Sequence, residues 1–225
     1  RAVGLDETRE YLTRFGFDIN QVPRSETIAL GAGSLTPVKM AQGYSVFANG
    51  GYYVEPYYIS KVEGPFGDLE YQATPKVVCH QQCSTAVENE GAEQDVETNY
   101  APQVISEQNA FLVREMMYSN IWGGGNWREG TGWNGTGWRA QALDRRDLAG
   151  KTGTTNDQKD AWFSGFNTQI QTTVWVGFDQ PSSLGRREYG ASTALPIWLD
   201  FMAVALKDQP SAHMLQPEGI VTARI

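Results

Sequence analysis

A short segment in the last third of the chain carries residue types that can do chemistry. It is the run Gly150-Lys151-Thr152-Gly153-Thr154-Thr155. A phosphate-binding loop would need a glycine five residues before Gly150 and a helix directly after the first threonine. Residue 145 is an arginine, and a second glycine followed by further threonines suits a strand better than a helix. The pattern therefore disfavours phosphate binding.

The alternative is acyl transfer by an active-site serine, in which a Lys-Thr-Gly strand lines the cleft. Lys151 brings a mobile positive charge that can attract a substrate carboxylate and assist proton transfer. The hydroxyls of Thr152 and Thr154 can bind that carboxylate. Gly153 has no side chain, so substrate can approach the strand closely. The main-chain N–H of Thr154 can face a developing oxyanion, so the segment predicts one wall of an acyl-transfer site.

The elements that must position this strand are visible in the hydrophobic pattern. Apolar residues recur at helical spacing in four segments, which are residues 6–15, 36–48, 106–121 and 195–207. Thr36 and Ser106 are suitable N-caps. Residues 162–166 and 172–178 are β-branched and aromatic, which predicts a hairpin, and residues 52–62 are predicted to be extended. Helices on either side of an antiparallel hairpin indicate an α+β fold.

Composition excludes some classes of protein. The chain has 225 residues, with 18 Lys and Arg against 26 Asp and Glu, which gives a formal charge of −8. This balance argues against a nucleic-acid partner, because such binding rests on clustered basic residues. The most apolar stretch, residues 195–206, is shorter than the roughly 20 residues that cross a bilayer. Residues 86–98 are acidic and predict a solvated loop.

Several runs together resemble one known family. They are DLAGKTGTTND at 147–157, DAWFSGFN at 160–167, TTVWVGF at 172–178, YAPQVIS at 100–106, GTG at 135–137, and the stretches 29–31 and 35–51. In this order they resemble the transpeptidase domain of class A bifunctional penicillin-binding proteins. The likeness covers roughly residues 1–63 and 99–210. A bare Lys-Thr-Gly is weak evidence, whereas this ordered set is specific.

The resemblance implies both a fold and a reaction. The fold is an antiparallel five-stranded sheet between helix layers, with residues 151–155 on the third strand and the hairpin as the fourth and fifth. The reaction is attack by a serine on the D-Ala-D-Ala end of a peptidoglycan stem peptide, followed by transfer of the acyl group to an amine of a neighbouring stem. β-Lactams imitate this substrate. Thr155 is expected to join Thr152, Gly153 and Thr154 in binding substrate, and no cofactor is implied.

The two serine motifs of the reaction are missing from the sequence. No serine is followed by lysine at the third position or by asparagine at the second. Residues 1–225 are therefore expected to be the C-terminal portion of one transpeptidase domain, with the nucleophile in an N-terminal part outside this chain. By resemblance, the whole protein would face the periplasm, anchored in the inner membrane by an N-terminal helix, with a glycosyltransferase domain upstream.

Two regions depart from the family pattern, near residues 79–98 and 122–135. Cys79 and Cys83 predict a small disulfide loop if the domain is exported, because such bonds persist in oxidising compartments. A metal site is not expected, since His213 is the only His or Cys apart from Cys79, Cys83 and the adjacent His80. Exposed tryptophan rings in the Gly-rich segment 122–138 would offer flat apolar surfaces that can bind carbohydrate or peptide. It is commoner for such rings to pack onto the domain itself, and we expect that here.

Two other functions stay open on the same scaffold. One is a hydrolase, either a D,D-carboxypeptidase or a β-lactamase, in which water replaces the acceptor amine. The other is a non-catalytic β-lactam sensor or cell-wall binding module, which would bind without turnover.

Overall fold

Four α-helices and two antiparallel sheets make up the part of the chain that the computed structural model describes, residues 3–79 and 99–223. In chain order the elements are α1 (Leu5–Thr13), α2 (Pro37–Ala48), β1 (Lys61–Glu63), β2 (Leu69–Gln72), α3 (Glu107–Trp122), β3 (Ala149–Thr154), β4 (Asp160–Phe166), β5 (Gln171–Gly177) and α4 (Leu195–Ala205). Each helix overlaps a segment that the hydrophobic spacing predicts. The four predicted helices are therefore confirmed.

Side-chain caps fix the start of two of these helices. The hydroxyl of Thr36 accepts a hydrogen bond from the main-chain N–H of Lys39 at 3.3 Å, at the start of α2. The hydroxyl of Ser106 accepts from the N–H of Asn109 at 3.2 Å, at the start of α3. Both caps satisfy donors that the helix leaves unpaired. The two predicted N-caps are thus confirmed.

The larger sheet carries the Lys-Thr-Gly segment at one edge. Its strand order is β3-β4-β5, and both pairs are antiparallel. The turn between β4 and β5 is closed by Asn167, whose side-chain oxygen accepts from the N–H groups of Gln169 and Ile170 at 3.0 and 2.8 Å. The predicted hairpin is confirmed. Three strands of the expected five-stranded sheet lie in the described residues.

Helices cover both faces of this sheet. On one face Phe163 packs edge-on against Trp198 of α4, with ring centroids 5.0 Å apart. Phe166, three residues along β4, clusters instead with Ala48 of α2 and Met117 of α3. Since side chains alternate across a strand, these two phenylalanines point to opposite faces. The sheet therefore lies between helix layers, as an α+β fold of this kind requires.

A small hairpin, β1–β2, was not predicted. The residue pattern predicts extended chain over residues 52–62 but no partner strand. Lys61 pairs with Gln72, and the Gly67 N–H bonds to the Gly64 carbonyl at 3.0 Å in the connecting turn. Every residue of both strands is exposed, so no alternation of buried and polar side chains marks them in the sequence.

Parts of the predictions fall on residues that the structure does not describe. The acidic segment 86–98, and most of the predicted insertion at 79–98, lie outside the described residues. Cys79 is disulfide-bonded, but Cys83 also lies outside them, so the pairing of the two cysteines stays a prediction. Among residues 3–79 and 99–223, no helix has the length and apolar character needed to span a bilayer.

Candidate active site

Strand β3 brings four of the predicted site residues together. Lys151 lies opposite Ser164 of β4, Thr152 opposite Phe163, and Gly153 and Thr154 follow. Because neighbouring side chains alternate, Lys151 points to one face of the sheet while Thr152 and Thr154 point to the other. The positive charge and the two hydroxyls therefore lie on different sides of the strand.

The ammonium group of Lys151 lies close to the main chain of its own strand. Its Nζ atom donates a hydrogen bond to the carbonyl oxygen of Thr152 at 2.7 Å. Desolvation lowers the pKa of the Lys151 ammonium below its ordinary value of 10.5. Partial removal of water disfavours the charged form, so this lysine gives up its proton more readily than a fully solvated one. This change favours a part in proton transfer.

The hydroxyl of Thr152 is held by a residue from the Gly-rich loop. Thr136 Oγ1 lies 2.6 Å from Thr152 Oγ1. Thr136 in turn accepts a hydrogen bond at 2.8 Å from the side-chain amide of Asn120, near the end of α3. Thr136 lies in a run that carries the family likeness, but neither it nor Asn120 was predicted to have a role in the site.

Gly190 packs against the C-terminal end of β3, the strand that carries the candidate site. The N–H of Gly190 donates to the hydroxyl of Thr154 at 3.0 Å. A Cβ atom on Gly190 would lie 2.4 Å from the carbonyl oxygen of Trp162 and 2.5 Å from that of Gly153. Only a glycine fits here without displacing the strands. Sequence reasoning missed this residue, although its place just before the small residues that lead into α4 was a usable signal.

The side chain of Thr155 closes the turn between β3 and β4. Its hydroxyl accepts from the N–H of Asp160 at 2.8 Å and lies 3.1 Å from a carboxylate oxygen of the same residue. The indole N–H of Trp175 donates to the other carboxylate oxygen at 2.9 Å. Since this hydroxyl already serves the turn, the expected role of Thr155 in binding substrate stays a prediction.

A buried ion pair anchors the chain just before β3. Arg145 lies 2.8 Å from the carboxylate of Asp147, whose side chain is fully buried. Asp147 also accepts from the side-chain amide of Asn167 at 3.3 Å and from the N–H of Ala212 at 3.2 Å. Burial alone would raise the pKa of the Asp147 carboxyl, but the hydrogen bonds from Arg145, Ala212 and Asn167 outweigh it, and the pKa lies below its ordinary value.

The same arginine ties down the chain that follows α4. Its guanidinium donates to the carbonyl oxygens of Gln209 and Pro210 at 2.7 and 3.0 Å. The chain after α4 is thus joined to the segment that leads into the Lys-Thr-Gly strand.

The tryptophans of the Gly-rich loop pack on that loop itself. A Cβ on Gly132 would lie 2.4 Å from the ring of Trp127, and one on Gly124 would lie 3.1 Å from the ring of Trp133. Trp127 is nevertheless 67% exposed and Trp133 48%. These two rings therefore pack against glycines of their own loop, and their wider packing onto the domain stays a prediction.

Comparisons with known proteins agree with this arrangement. The family model described as the penicillin binding protein transpeptidase domain matches residues 1–203. Penicillin-binding protein 1A of Vibrio cholerae is 62% identical over 239 residues, which cover 100% of this chain and 29% of that protein. Penicillin-binding protein 1A of Pseudomonas aeruginosa is 41% identical over 251 residues, with 100% and 29% covered.

Solved structures give the same result. The crystal structure of penicillin-binding protein 1A from Haemophilus influenzae matches with a TM-score of 0.83 at 42% identity, over 97% of this chain and 33% of that one. The D,D-transpeptidase domain of a peptidoglycan glycosyltransferase from Eggerthella lenta matches with a TM-score of 0.59 at 18% identity, over 92% and 49%, which shows the fold alone.

The chain spans 29% of the length of the first two relatives, so it matches one region of longer proteins. The match over residues 1–203 means that the chain belongs to the family of penicillin-binding protein transpeptidase domains.

Proposed function

We propose that this chain supplies one wall of the active site of a peptidoglycan D,D-transpeptidase. In the reaction a serine oxygen attacks the carbonyl carbon of the bond between two terminal D-Ala residues. The bond breaks, and the terminal D-Ala leaves with a proton on its nitrogen. An amine of a neighbouring stem peptide then attacks the acyl-serine ester, which forms the cross-link and restores the serine hydroxyl. The observation that carries this proposal is a Lys-Thr-Gly edge strand within a chain of this family.

The residues of β3 divide the work by chemistry. Lys151 assists the proton movements around the serine oxygen, in keeping with its lowered pKa. The hydroxyls of Thr152 and Thr154 donate to the terminal carboxylate of the donor peptide, and Gly153 leaves room for the peptide chain. The main-chain N–H of Thr154 donates to the oxygen that becomes negative in the tetrahedral intermediate.

The nucleophile comes from outside this chain. Since the sequence holds neither serine motif, an N-terminal part of the same domain supplies the serine, its lysine and the second serine of the proton relay. The whole protein acts on stem peptides and reacts covalently with β-lactams. It is anchored in the inner membrane through an N-terminal helix, faces the periplasm, and also carries a glycosyltransferase domain.

Acylation of the full-length protein by a labelled penicillin tests the proposal. The Lys151→Ala variant should be acylated about 10² to 10⁴ times more slowly, because a positioned group in proton transfer contributes that much. Lys159→Ala is the matched control, since Lys159 lies just past the same strand, half exposed, with its Nζ atom 4.0 Å from Asp157. The control should be acylated at the parent rate.

Two results would contradict the proposal. Acylation of Lys151→Ala at the parent rate would remove Lys151 from the mechanism. Labelling of the isolated 225-residue chain would show that the nucleophile lies within it.

A further inference from the structure

A chain of three hydrogen-bonding side chains ends at the site strand. It runs from the amide of Asn120, at 2.8 Å, to the hydroxyl of Thr136, and from there, at 2.6 Å, to the hydroxyl of Thr152. Its members come from α3, the Gly-rich loop and β3. Short contacts between uncharged groups from three separate segments indicate an arrangement held by the fold rather than by local sequence.

The chemistry of the groups gives the chain a direction. A side-chain amide nitrogen only donates hydrogen bonds, whereas a hydroxyl has one proton to donate and lone pairs to accept with. Thr136 accepts from Asn120, and either hydroxyl can be the donor in the contact between Thr136 and Thr152. If Thr136 donates to Thr152, the proton of Thr152 is left for a further acceptor. A substrate carboxylate is such an acceptor, and hydrogen bonds to charged groups are the stronger ones.

Further contacts between the end of α3 and the Gly-rich loop hold Asn120 and Thr136 next to each other. The N–H of Gly137 donates to the main-chain oxygen of Asn120 at 2.9 Å, and the side chain of Gln141 donates to that of Ile121 at 2.8 Å. A Cβ on Gly135 would lie only 1.8 Å from the Asn120 carbonyl oxygen. The loop on either side of Thr136 is therefore in direct contact with the end of α3.

The amide of Asn120 directs its nitrogen to Thr136 and its oxygen to a buried position. Its Oδ1 atom is buried without a hydrogen-bond partner among the described residues, and a Cβ on Gly137 would lie 3.0 Å from it. A buried polar atom left unpaired is uncommon and needs a reason. With the amide reversed, Oδ1 would accept the proton of Thr136, and Thr136 could then only accept from Thr152, so the observed orientation is the one that leaves Thr136 able to donate to Thr152.

We propose that Thr136, oriented by Asn120, is a positioning residue that aims the proton of Thr152 at the carboxylate of the substrate. This inference rests on the function proposed above, since it assumes that Thr152 binds that carboxylate. It adds a residue from the Gly-rich loop, and one from α3, to the determinants of substrate recognition.

The test compares two probes on the full-length protein, a labelled penicillin with a free carboxylate and its methyl ester. Thr136→Val removes the hydroxyl at constant shape. It should slow acylation by the carboxylate probe about tenfold or more, and acylation by the ester less than about twofold. Thr136→Ser keeps the hydroxyl and should restore the parent preference for the carboxylate.

Asn120→Asp is a sharper variant, because a carboxylate only accepts hydrogen bonds. The new carboxylate accepts the Thr136 proton, so this proton is no longer available to Thr152. The preference for the carboxylate probe should fall as in Thr136→Val. Thr131→Val is the matched control: Thr131 bonds within the same loop, to the N–H of Asn126 at 2.9 Å, and the change should leave the preference unaltered.

Each outcome decides the matter. Equal slowing with both probes in Thr136→Val would mean that Thr136 only supports the fold, and an unchanged preference would mean that it has no role. Either result overturns the inference while the proposed function stands. If the parent protein reacts with neither probe, the proposed function fails, and the inference fails with it. Thermal unfolding of each variant identifies any that does not fold.

Discussion

The absence of a side chain at Gly190 allows the segment that leads into α4 to lie close to β3. Gly190 is buried, and its N–H holds the hydroxyl of Thr154 at 3.0 Å. The carbonyl oxygens of Gly153 and Trp162 lie where a side chain would begin. This one residue therefore couples the geometry of the site strand to the packing of α4.

Gly190→Ala should both destabilise the domain and slow acylation. A methyl group here must push β3 and β4 away from Gly190. Overpacking of this kind lowers the free energy of unfolding by about 1–3 kcal/mol. Thermal unfolding and penicillin acylation of the full-length variant measure the two effects. The matched control is Gly67→Ala in the β1–β2 turn, where φ is +83° but nothing lies within 4 Å of the added atom. It should cost only about 1 kcal/mol of backbone strain and leave acylation unchanged. Parent-like acylation by Gly190→Ala would contradict this coupling.

At the scale of elements, strand β3 is held at its start by the ion pair of Arg145 and Asp147. The carboxylate side chain is 0% exposed and the arginine side chain 14%. The N–H of Ala212, after α4, and the side chain of Asn167, in the β4–β5 turn, also donate to Asp147. Three segments of the chain therefore meet at one carboxylate. Removal of one partner leaves the other charge buried without compensation.

Asp147→Asn should lower the free energy of unfolding by about 3 kcal/mol at pH 7. The pKa of Asp147 is lowered in the folded state relative to its ordinary value of 3.8. Its contribution to stability is therefore complete above that value and is lost as the pH falls through the folded-state pKa. The difference in Tm between parent and variant should narrow below about pH 4.

Melting curves between pH 7 and pH 3 measure this difference. Asp208→Asn changes an exposed carboxylate close to the same segment and serves as the control. A difference between parent and Asp147→Asn that stays constant over this range would contradict a role for the ionised carboxylate.

Local elements were predictable from the sequence because their signals are local. The hydroxyls of Thr36 and Ser106 begin their helices, and Asn167 closes its hairpin, through bonds to residues two or three positions away. The strand with Lys151 was recognisable for the same reason, since its glycines and threonines are contiguous.

Contacts between distant residues could not be predicted in this way. Thr136 meets Thr152 across 16 positions, and Asp147 meets Ala212 across 65. Neither pair leaves a periodic trace, because each is one polar residue among loop residues. The β1–β2 hairpin was missed for another reason, since it buries none of its side chains.

On the scale of the whole molecule, the proposed function concerns which acceptor takes the acyl group. The full-length protein, given a stem-peptide donor and excess amine acceptor, should form mainly the transfer product. Removal of the acceptor should divert the acyl group to water. Mass spectrometry of the products measures the ratio.

Two outcomes would favour the alternatives. Hydrolysis alone at saturating acceptor would indicate a D,D-carboxypeptidase, and binding of peptide without turnover would indicate a sensor. In either case the contribution of Lys151 would have to be measured again in the reaction that does occur.

The pairing of β3 with β4 limits how this domain can change during evolution. Lys151 lies opposite Ser164, and Thr152 opposite Phe163, in an uninterrupted register. Insertion or deletion of one residue within β3 would exchange the faces of the two side chains, and the ammonium would be directed toward the layer that contains Trp198. We therefore expect a change in the length of β3 to harm the site more than a change in the turn that follows it, where Asp157 and Gln158 adopt positive φ angles without disturbing the register.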